Sequence, residues 1–420
     1  MPVRRTAIRT LSRRTLSRRT LAAAAATALV GGLAAGVAPA AAAAGATGAF
    51  TDLLVTQTNQ VPNTIVVMGR HSDGTLEQIQ RLATGLNGTG KYVNTGGAVA
   101  AQGSNHLLAV NTGSNAVSVF TRTGAALALT GNFFSGGDVP TSIGVHGNRV
   151  YVLNTGIPEA NPATGNGTRV GPPVIQGFTI SDSGAATIIP GARRSMPGAC
   201  SHYPCKEQGL FGQASVSPDG HTLMVTDFGH NLVLTMAIAA DGSLGPVQSA
   251  PSGIPETYGF SWAPDGVATI SGTTDGTFLG RVTTGRIVNG RWSPIVKVMP
   301  TLGAGTCWTV TSADGTRVYA IDAGAASVDM PHPGVTTFRL NPNGTLTPLG
   351  FTRVAFYELV FPLDSVLSAD QKSLYSISWK HIYTYDINAN GVAKNVPAKR
   401  LWLGDAGMGF GATGLADLPL

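Results

Sequence analysis

Ser312-Ala313-Asp314-Gly315 is followed by Val318-Tyr319-Ala320 and then, after a longer connection, by Asn343-Gly344. The first four residues read as a tight turn, the next three as a β-rich run, and the Asn-Gly as a hairpin between two further strands. The same order of signals recurs along the chain. Ser217-Pro218-Asp219-Gly220, Ala263-Pro264-Asp265-Gly266 and Ser368-Ala369-Asp370-Gln371 match the first turn, with Gly103 and Gly147 as reduced versions. Each precedes a run such as Val150-Tyr151-Val152, Leu223-Met224-Val225 or Leu374-Tyr375-Ser376. The hairpin signal occurs at Asp73-Gly74, Thr123-Gly124, Ser183-Gly184, Asp241-Gly242, Asn289-Gly290, Asn343-Gly344 and Asn390-Gly391, 47 to 60 residues apart. Because Asp, Asn and Gly tolerate positive φ, two-residue turns are expected at these seven places.

The unit reads as strand A, tight turn, strand B, a loop opening with Asn/Asp-x-Gly, strand C, hairpin, strand D. Four strands in about 50 residues make one propeller blade. The expected fold is therefore all-β, a seven-bladed β-propeller over residues 46–420. Asp52-Leu53-Leu54-Val55 reads as a strand B with no strand A before it. Gly414-Leu415-Ala416-Asp417-Leu418 reads as a strand A with nothing after it. Pairing the two completes the first blade and removes the open edges that an unclosed ring would present.

Composition agrees with this organisation and narrows the partners. The 420 residues include 55 glycines and 25 prolines, with only 12% charged side chains, which favours short strands and turns over amphipathic helices. Seven arginines, and no lysine or acid, lie in residues 1–45; removing them leaves 21 bases against 22 acids. A chain of that balance has no electrostatic footprint for nucleic acid or for an anionic membrane. The arginines belong to two copies of Ser-Arg-Arg-Thr-Leu, at Ser12–Leu16 and Ser17–Leu21, ahead of an Ala/Gly-rich stretch ending near Ala44. This segment resembles a twin-arginine export signal, with a membrane anchor or an arginine-rich presequence as alternatives. Export of a folded bacterial protein, released from the membrane on cleavage, is the expectation.

An exported chain with three cysteines forms at most one internal disulfide. Cys200 and Cys205, enclosing Ser-His-Tyr-Pro, are the natural pair; a free thiol pair or a metal site with His202 are the alternatives. Cys307 reads as a small buried hydrophobe. No Cys-x-x-Cys-His, no phosphate-binding loop, no His-Glu-x-x-His and no nucleophile elbow is present, and Gly407–Gly411 precedes a strand rather than a helix, so no cofactor is expected.

The Ser-Pro-Asp-Gly turn, the Tyr-Val-like strand B and the Asn/Asp-Gly-Ser/Thr-Leu hairpin together resemble the seven-bladed lactonase-like propellers. That family includes 6-phosphogluconolactonase and carboxymuconate cyclase relatives, and its blade pattern is shared by non-enzymatic YVTN-type surface propellers. The resemblance implies a histidine-containing motif before the fourth strand A and a Gly-Pro-Arg-His-like motif before the fifth. Leu210-Phe211-Gly212-Gln213 and Thr257-Tyr258-Gly259-Phe260 stand there instead, and Ser271-Gly272-Thr273-Thr274-Asp275 occupies the place of an expected glutamate.

Alternating strands put the A–B and C–D turns on one face and the B–C and D–A loops on the other. The second face carries the irregular insertions Gly156–Gly171, Pro190–Gln213 and Asp322–Pro333, and a ligand is expected there, near the central channel. Candidate catalytic residues are Asp227 and His230, spaced as a carboxylate–imidazole couple, and Glu256 in a D–A connection. Arg193, Arg194 and Glu358 are candidates for substrate binding. Asp138, Asp227, Asp275 and Asp322 are too dispersed for a calcium loop, so no metal is expected. The favoured expectation is a monomeric, secreted propeller that binds a small or extracellular ligand without the usual catalytic residues. The alternative is a lactone hydrolase or cyclase-type enzyme acting on a small cyclic or carboxylated metabolite.

Overall fold

In the computed structural model, the described residues are 49–420 apart from 92, 94–95, 159, 162–164, 167–168, 198–209, 274–278, 325–332, 355–363, 379 and 404–412. They form seven blades of antiparallel strands. Blade one is built from Asp52–Gln57, Thr64–Arg70 and Leu76–Ala83, with Thr413–Pro419 as its innermost strand. The register Asp52↔Pro419, Leu54↔Asp417, Thr56↔Leu415 is the expected ring closure. In blades two to seven the strands run outward in sequence order. Their inner strands are Val99–Gln102, Pro140–His146, Phe211–Val216, Phe260–Trp262, Thr306–Thr311 and Asp364–Leu367.

The core lies between blades, and strand alternation builds it. In Asp52–Gln57, Leu53 and Val55 pack with Val99, Leu107 and Phe120 of blade two, while Leu54 packs with Tyr375 and Ile377 of blade seven. Both faces of a strand B are thus covered, which is why these strands read as continuous apolar runs. Each such leucine, removed from water, contributes about 1.5–3 kcal/mol.

The motif residues have distinct jobs. In the Ser-x-Asp turns, Ser217, Ser312 and Ser368 donate to Asp219, Asp314 and Asp370, and the same serine oxygens accept the backbone N–H groups of Thr222, Arg317 and Ser373. The strand-B tyrosines bind the blades to one another. Tyr151, Tyr319 and Tyr375 donate their hydroxyls to the carbonyls of Gly242, Gly391 and Gly74, the hairpin glycines of the following blade, at 2.9, 3.0 and 2.8 Å.

The hairpins themselves depart from the two-residue expectation. His71–Thr75, Ser181–Ala185, Ala239–Ser243, Asn341–Thr345 and Asn388–Val392 enclose three residues, with the glycine in the left-handed region at its end. Side chains explain the choice: Asp73, Asp241, Asn343 and Asn388 each accept a backbone N–H two residues on, closing a local turn that positions the glycine. Thr123–Ala126 and Val288–Arg291 keep the expected two-residue turn, the first with Gly124 at positive φ and the second with both Asn289 and Gly290 there.

A second correction concerns Arg193 and Arg194. They do not lie in a D–A loop but in Ala186–Ser195, the outermost strand of blade three, paired with Gln176 and Ile175. The strand outlasts the apolar run because its edge position needs no apolar side chains to continue the ladder.

Candidate functional site

The loop face was expected to hold its chemistry at the channel mouth, yet the chain's own backbone stands there. Gly96 and Gly97, between blades one and two, reach residues of several inner strands. The Gly96 N–H donates to the Gly212 carbonyl of blade four at 3.0 Å, and the Gly97 carbonyl accepts from Ile143 of blade three at 2.8 Å. The Gly97 N–H and the Leu415 N–H of the closing strand both donate to Oδ2 of Asp364 in blade seven, at 3.1 and 3.2 Å. A Cβ on Gly96 would come within 2.8 Å of the Trp308 ring of blade six, so no larger residue fits without displacement. This segment lies over the ring axis. A glycine pair outside any hairpin signal was the available clue in the sequence.

Asp227 and His230 meet instead on blade four, and Glu256 lies on the connection from blade four to blade five. Strand B of blade four, Thr222–Asp227, ends on a wholly buried aspartate. Asp227 Oδ1 accepts the backbone N–H groups of Leu210, Gly229 and His230 at 3.1, 3.1 and 3.3 Å, which folds the loop tightly around it. Its Oδ2 faces His230 Nδ1 at 2.7 Å. The imidazole keeps 26% of its side-chain surface open while Asp227 has none. Burial pushes the Asp227 carboxyl above its ordinary value, against the opposing pull of His230. Phe228 on the same loop stacks on Tyr258 of the next connection, with ring centroids 4.9 Å apart.

Glu256 enters from that connection. Its backbone N–H donates to Asn231 Oδ1 at 2.6 Å, and the Thr273 hydroxyl donates to its carboxylate. Asn231 and Glu256 both have positive φ, 58° and 46°. Asn115 and Val139 repeat the device between blades two and three, at 53° and 57° with a 2.8 Å bond from the Val139 N–H to Asn115 Oδ1. The backbone strain at Glu256 is therefore a property of the repeat, and what distinguishes the position is a carboxylate where the other junction carries valine. Arg169, from the Gly156–Gly171 insertion, lies within electrostatic reach of Asp227 and donates to the Thr155 carbonyl. Sequence spacing alone could not bring Arg169 to blade four.

The remaining candidates lie elsewhere. Arg193 donates to Gly136, and Arg194 to the carbonyls of Gly245, Gly191 and Arg193, all at the outer edge of blade three. Cys200, Cys205, His202, Glu358 and Asp275 fall outside the described residues. Asp322, at the strand-B position equivalent to Asp227, is wholly buried and accepts the hydroxyls of Thr301, Thr306 and Thr336, so it serves the blade rather than the surface. Burial pushes the Cys307 thiol up to about 12, which keeps it protonated and a poor nucleophile. Among the described residues no cluster of three metal-ligating side chains occurs.

No family model and no curated protein matches the chain. Solved structures do. A periplasmic gluconolactonase from Pseudomonas aeruginosa superposes with a TM-score of 0.62 at 16% identity, over 88% of this chain and 99% of that one. A candidate 6-phosphogluconolactonase from Bacteroides fragilis gives 0.61 at 16% identity, over 87% and 98%. The chain has the fold of the lactonase-like seven-bladed propellers. The same fold also carries a hypothetical selenium-binding protein from Sulfolobus tokodaii, at 0.60 and 10% identity over 86% and 92%, so architecture at this distance does not select a chemistry.

Proposed function

We propose that this chain is an exported lactonase-like propeller that hydrolyses a small lactone at the junction of blades four and five, with His230 as general base. The observation that carries the proposal is the buried Asp227 carboxylate 2.7 Å from a partly open His230 imidazole. An aspartate that accepts the Nδ1 proton leaves the lone pair on Nε2, the tautomer a general base requires. Nε2 takes a proton from water as the water oxygen bonds to the lactone carbonyl carbon. The ring C–O bond then breaks, and the imidazolium returns the proton to the departing alkoxide, giving a hydroxy acid. Glu256, whose backbone N–H donates to the side chain of Asn231 next to His230, is assigned the holding of a substrate hydroxyl. Export rests on the paired Ser-Arg-Arg-Thr-Leu segments of the N-terminus.

A second reading, a propeller that binds its ligand without turning it over, is favoured by Leu210-Phe211-Gly212-Gln213 and Thr257-Tyr258-Gly259-Phe260, which lack the histidine and arginine that the lactonase resemblance implies. Proton release from a panel of five- and six-membered lactones separates the two. Turnover abolished in His230→Ala at an unchanged melting temperature supports hydrolysis; a folded protein inert across the panel turns the proposal to binding.

A further inference from the structure

Asparagine followed by glycine is the dipeptide in which a backbone nitrogen most readily attacks a side-chain amide, because glycine puts no side chain in the way. The chain has five such pairs, beginning at Asn87, Asn166, Asn289, Asn343 and Asn390, and all but the one at Asn166 lie wholly among the described residues. In three of these four the glycine nitrogen is engaged. Gly88 N–H donates to the Gln60 carbonyl at 2.7 Å, Gly344 N–H to Asn341 at 2.8 Å and Gly391 N–H to Asn388 at 2.8 Å. Asn343 also has its side-chain oxygen occupied, by the Thr345 N–H and hydroxyl at 3.1 and 2.7 Å. Their surroundings are crowded as well: a Cβ on Gly88, Gly344 or Gly391 would stand 2.2, 2.5 or 2.5 Å from a neighbouring atom.

Asn289-Gly290 differs at each point. It forms the two-residue hairpin of blade five, where the ladder is closed by Val288 and Arg291. Among the described residues neither the Gly290 N–H nor the Asn289 amide has a hydrogen-bond partner. Both residues are exposed, and a Cβ on Gly290 would meet no atom within 4 Å. We propose that Asn289 is a deamidation site, the Asn-Gly pair that the fold leaves open while it shields the other three. Rotation about ψ of Asn289 at the hairpin tip brings the Gly290 nitrogen to the side-chain amide carbon. The nitrogen gives its proton to hydroxide and bonds to Cγ, the Cγ–Nδ2 bond breaks, and ammonia leaves. Water then opens the cyclic imide at either carbonyl, giving aspartate or isoaspartate. Isoaspartate routes the main chain through the side-chain carbon and so adds an atom to the shortest kind of hairpin loop. The Gly290 carbonyl accepts the hydroxyl of the buried Thr235 in blade four at 2.5 Å, so lengthening this turn loosens the seam between the two blades.

Ageing the full-length protein in mildly alkaline buffer tests the assignment, with digestion at intervals and mass spectrometry to follow the change of amide to acid at each pair. Conversion at Asn289 is expected to run at least about tenfold faster than at Asn87, Asn343 or Asn390, since those three must first open locally. In urea, where all four are equally free, that advantage is expected to vanish. Conversion at Asn289 no faster than at the other three in the folded protein, or an advantage that persists in urea, would overturn the assignment. The acidic fraction separated by ion exchange is expected to carry isoaspartate at position 289 and to melt below the unaged protein; equal melting would overturn the loosening of the seam.

Discussion

Tyr319 illustrates how a residue can be legible as structure while its bond is not. Val318-Tyr319-Ala320 announces a strand, but the hydroxyl's acceptor, the Gly391 carbonyl, lies 72 residues further on in another blade. Removing that hydroxyl with Tyr319→Phe, or the matching ones with Tyr151→Phe and Tyr375→Phe, leaves a buried carbonyl short of a donor. Each substitution is expected to lower the unfolding free energy by about 1–2 kcal/mol, read as a shift of the denaturant midpoint at constant slope. Arg70 is the sharper case. It is 1% exposed, and its guanidinium reaches Asp52 at 2.9 Å, Asp370 at 3.0 Å and the Tyr375 hydroxyl at 3.0 Å, joining blade one to blade seven. Arg70→Met strips the partner from the buried Asp52 and is expected to cost about 3–5 kcal/mol in the same measurement. In the candidate site, the three-residue spacing of Asp227 and His230 was readable because a single loop carries both. Glu256 was readable only as a position, since the Asn231 side chain that holds its backbone comes from a different connection.

At the scale of elements, repeat signals located the strands because turn chemistry is local. They misjudged hairpin length where an Asp or Asn side chain closes its own turn and adds a residue to the loop. They also let strand D of blade three end too early, since Ile188, Arg193 and Arg194 lie on an edge that no apolar alternation marks. Closure by the last strand was readable because the first repeat lacks an element that the C-terminus supplies. Truncation after residue 412 removes Leu415 from the core shared with blade seven, and Ala416 and Leu418 from that shared with blade two. It also bares the Asp52–Gln57 edge. Soluble aggregates or loss of the cooperative unfolding transition are expected, measured by size-exclusion chromatography and circular dichroism; a monomer melting like the intact chain would refute the role given to this strand.

At the scale of the whole molecule, carboxyl groups held away from water set the response to pH. Burial pushes Asp322 and Asp417 up to about 7 and Asp364 up to about 6. An unfolded aspartate releases its proton near pH 4, so between about pH 4 and 7 the folded chain holds protons that the unfolded chain has lost. Stability therefore falls as pH rises through that window and levels off above it. The turn aspartates Asp219, Asp314 and Asp370 are held below the ordinary range by hydrogen bonds from their turns, and their contribution is lost only at more acid pH. The melting temperature is expected to be higher at pH 5 than at pH 8, and Asp322→Asn to flatten the slope; a rise toward pH 8 would contradict this assignment. Function at this scale depends on whether the blade-four loop works as one unit on the face opposite the regular turns. The most direct test is lactone hydrolysis, followed by proton release, in Asp227→Asn, His230→Ala and the double variant. An imidazole whose tautomer Asp227 fixes predicts that each single variant loses at least about a hundredfold in turnover and that the double loses no more than His230→Ala alone. Losses that multiply in the double variant, or turnover untouched by either substitution, would contradict a catalytic dyad.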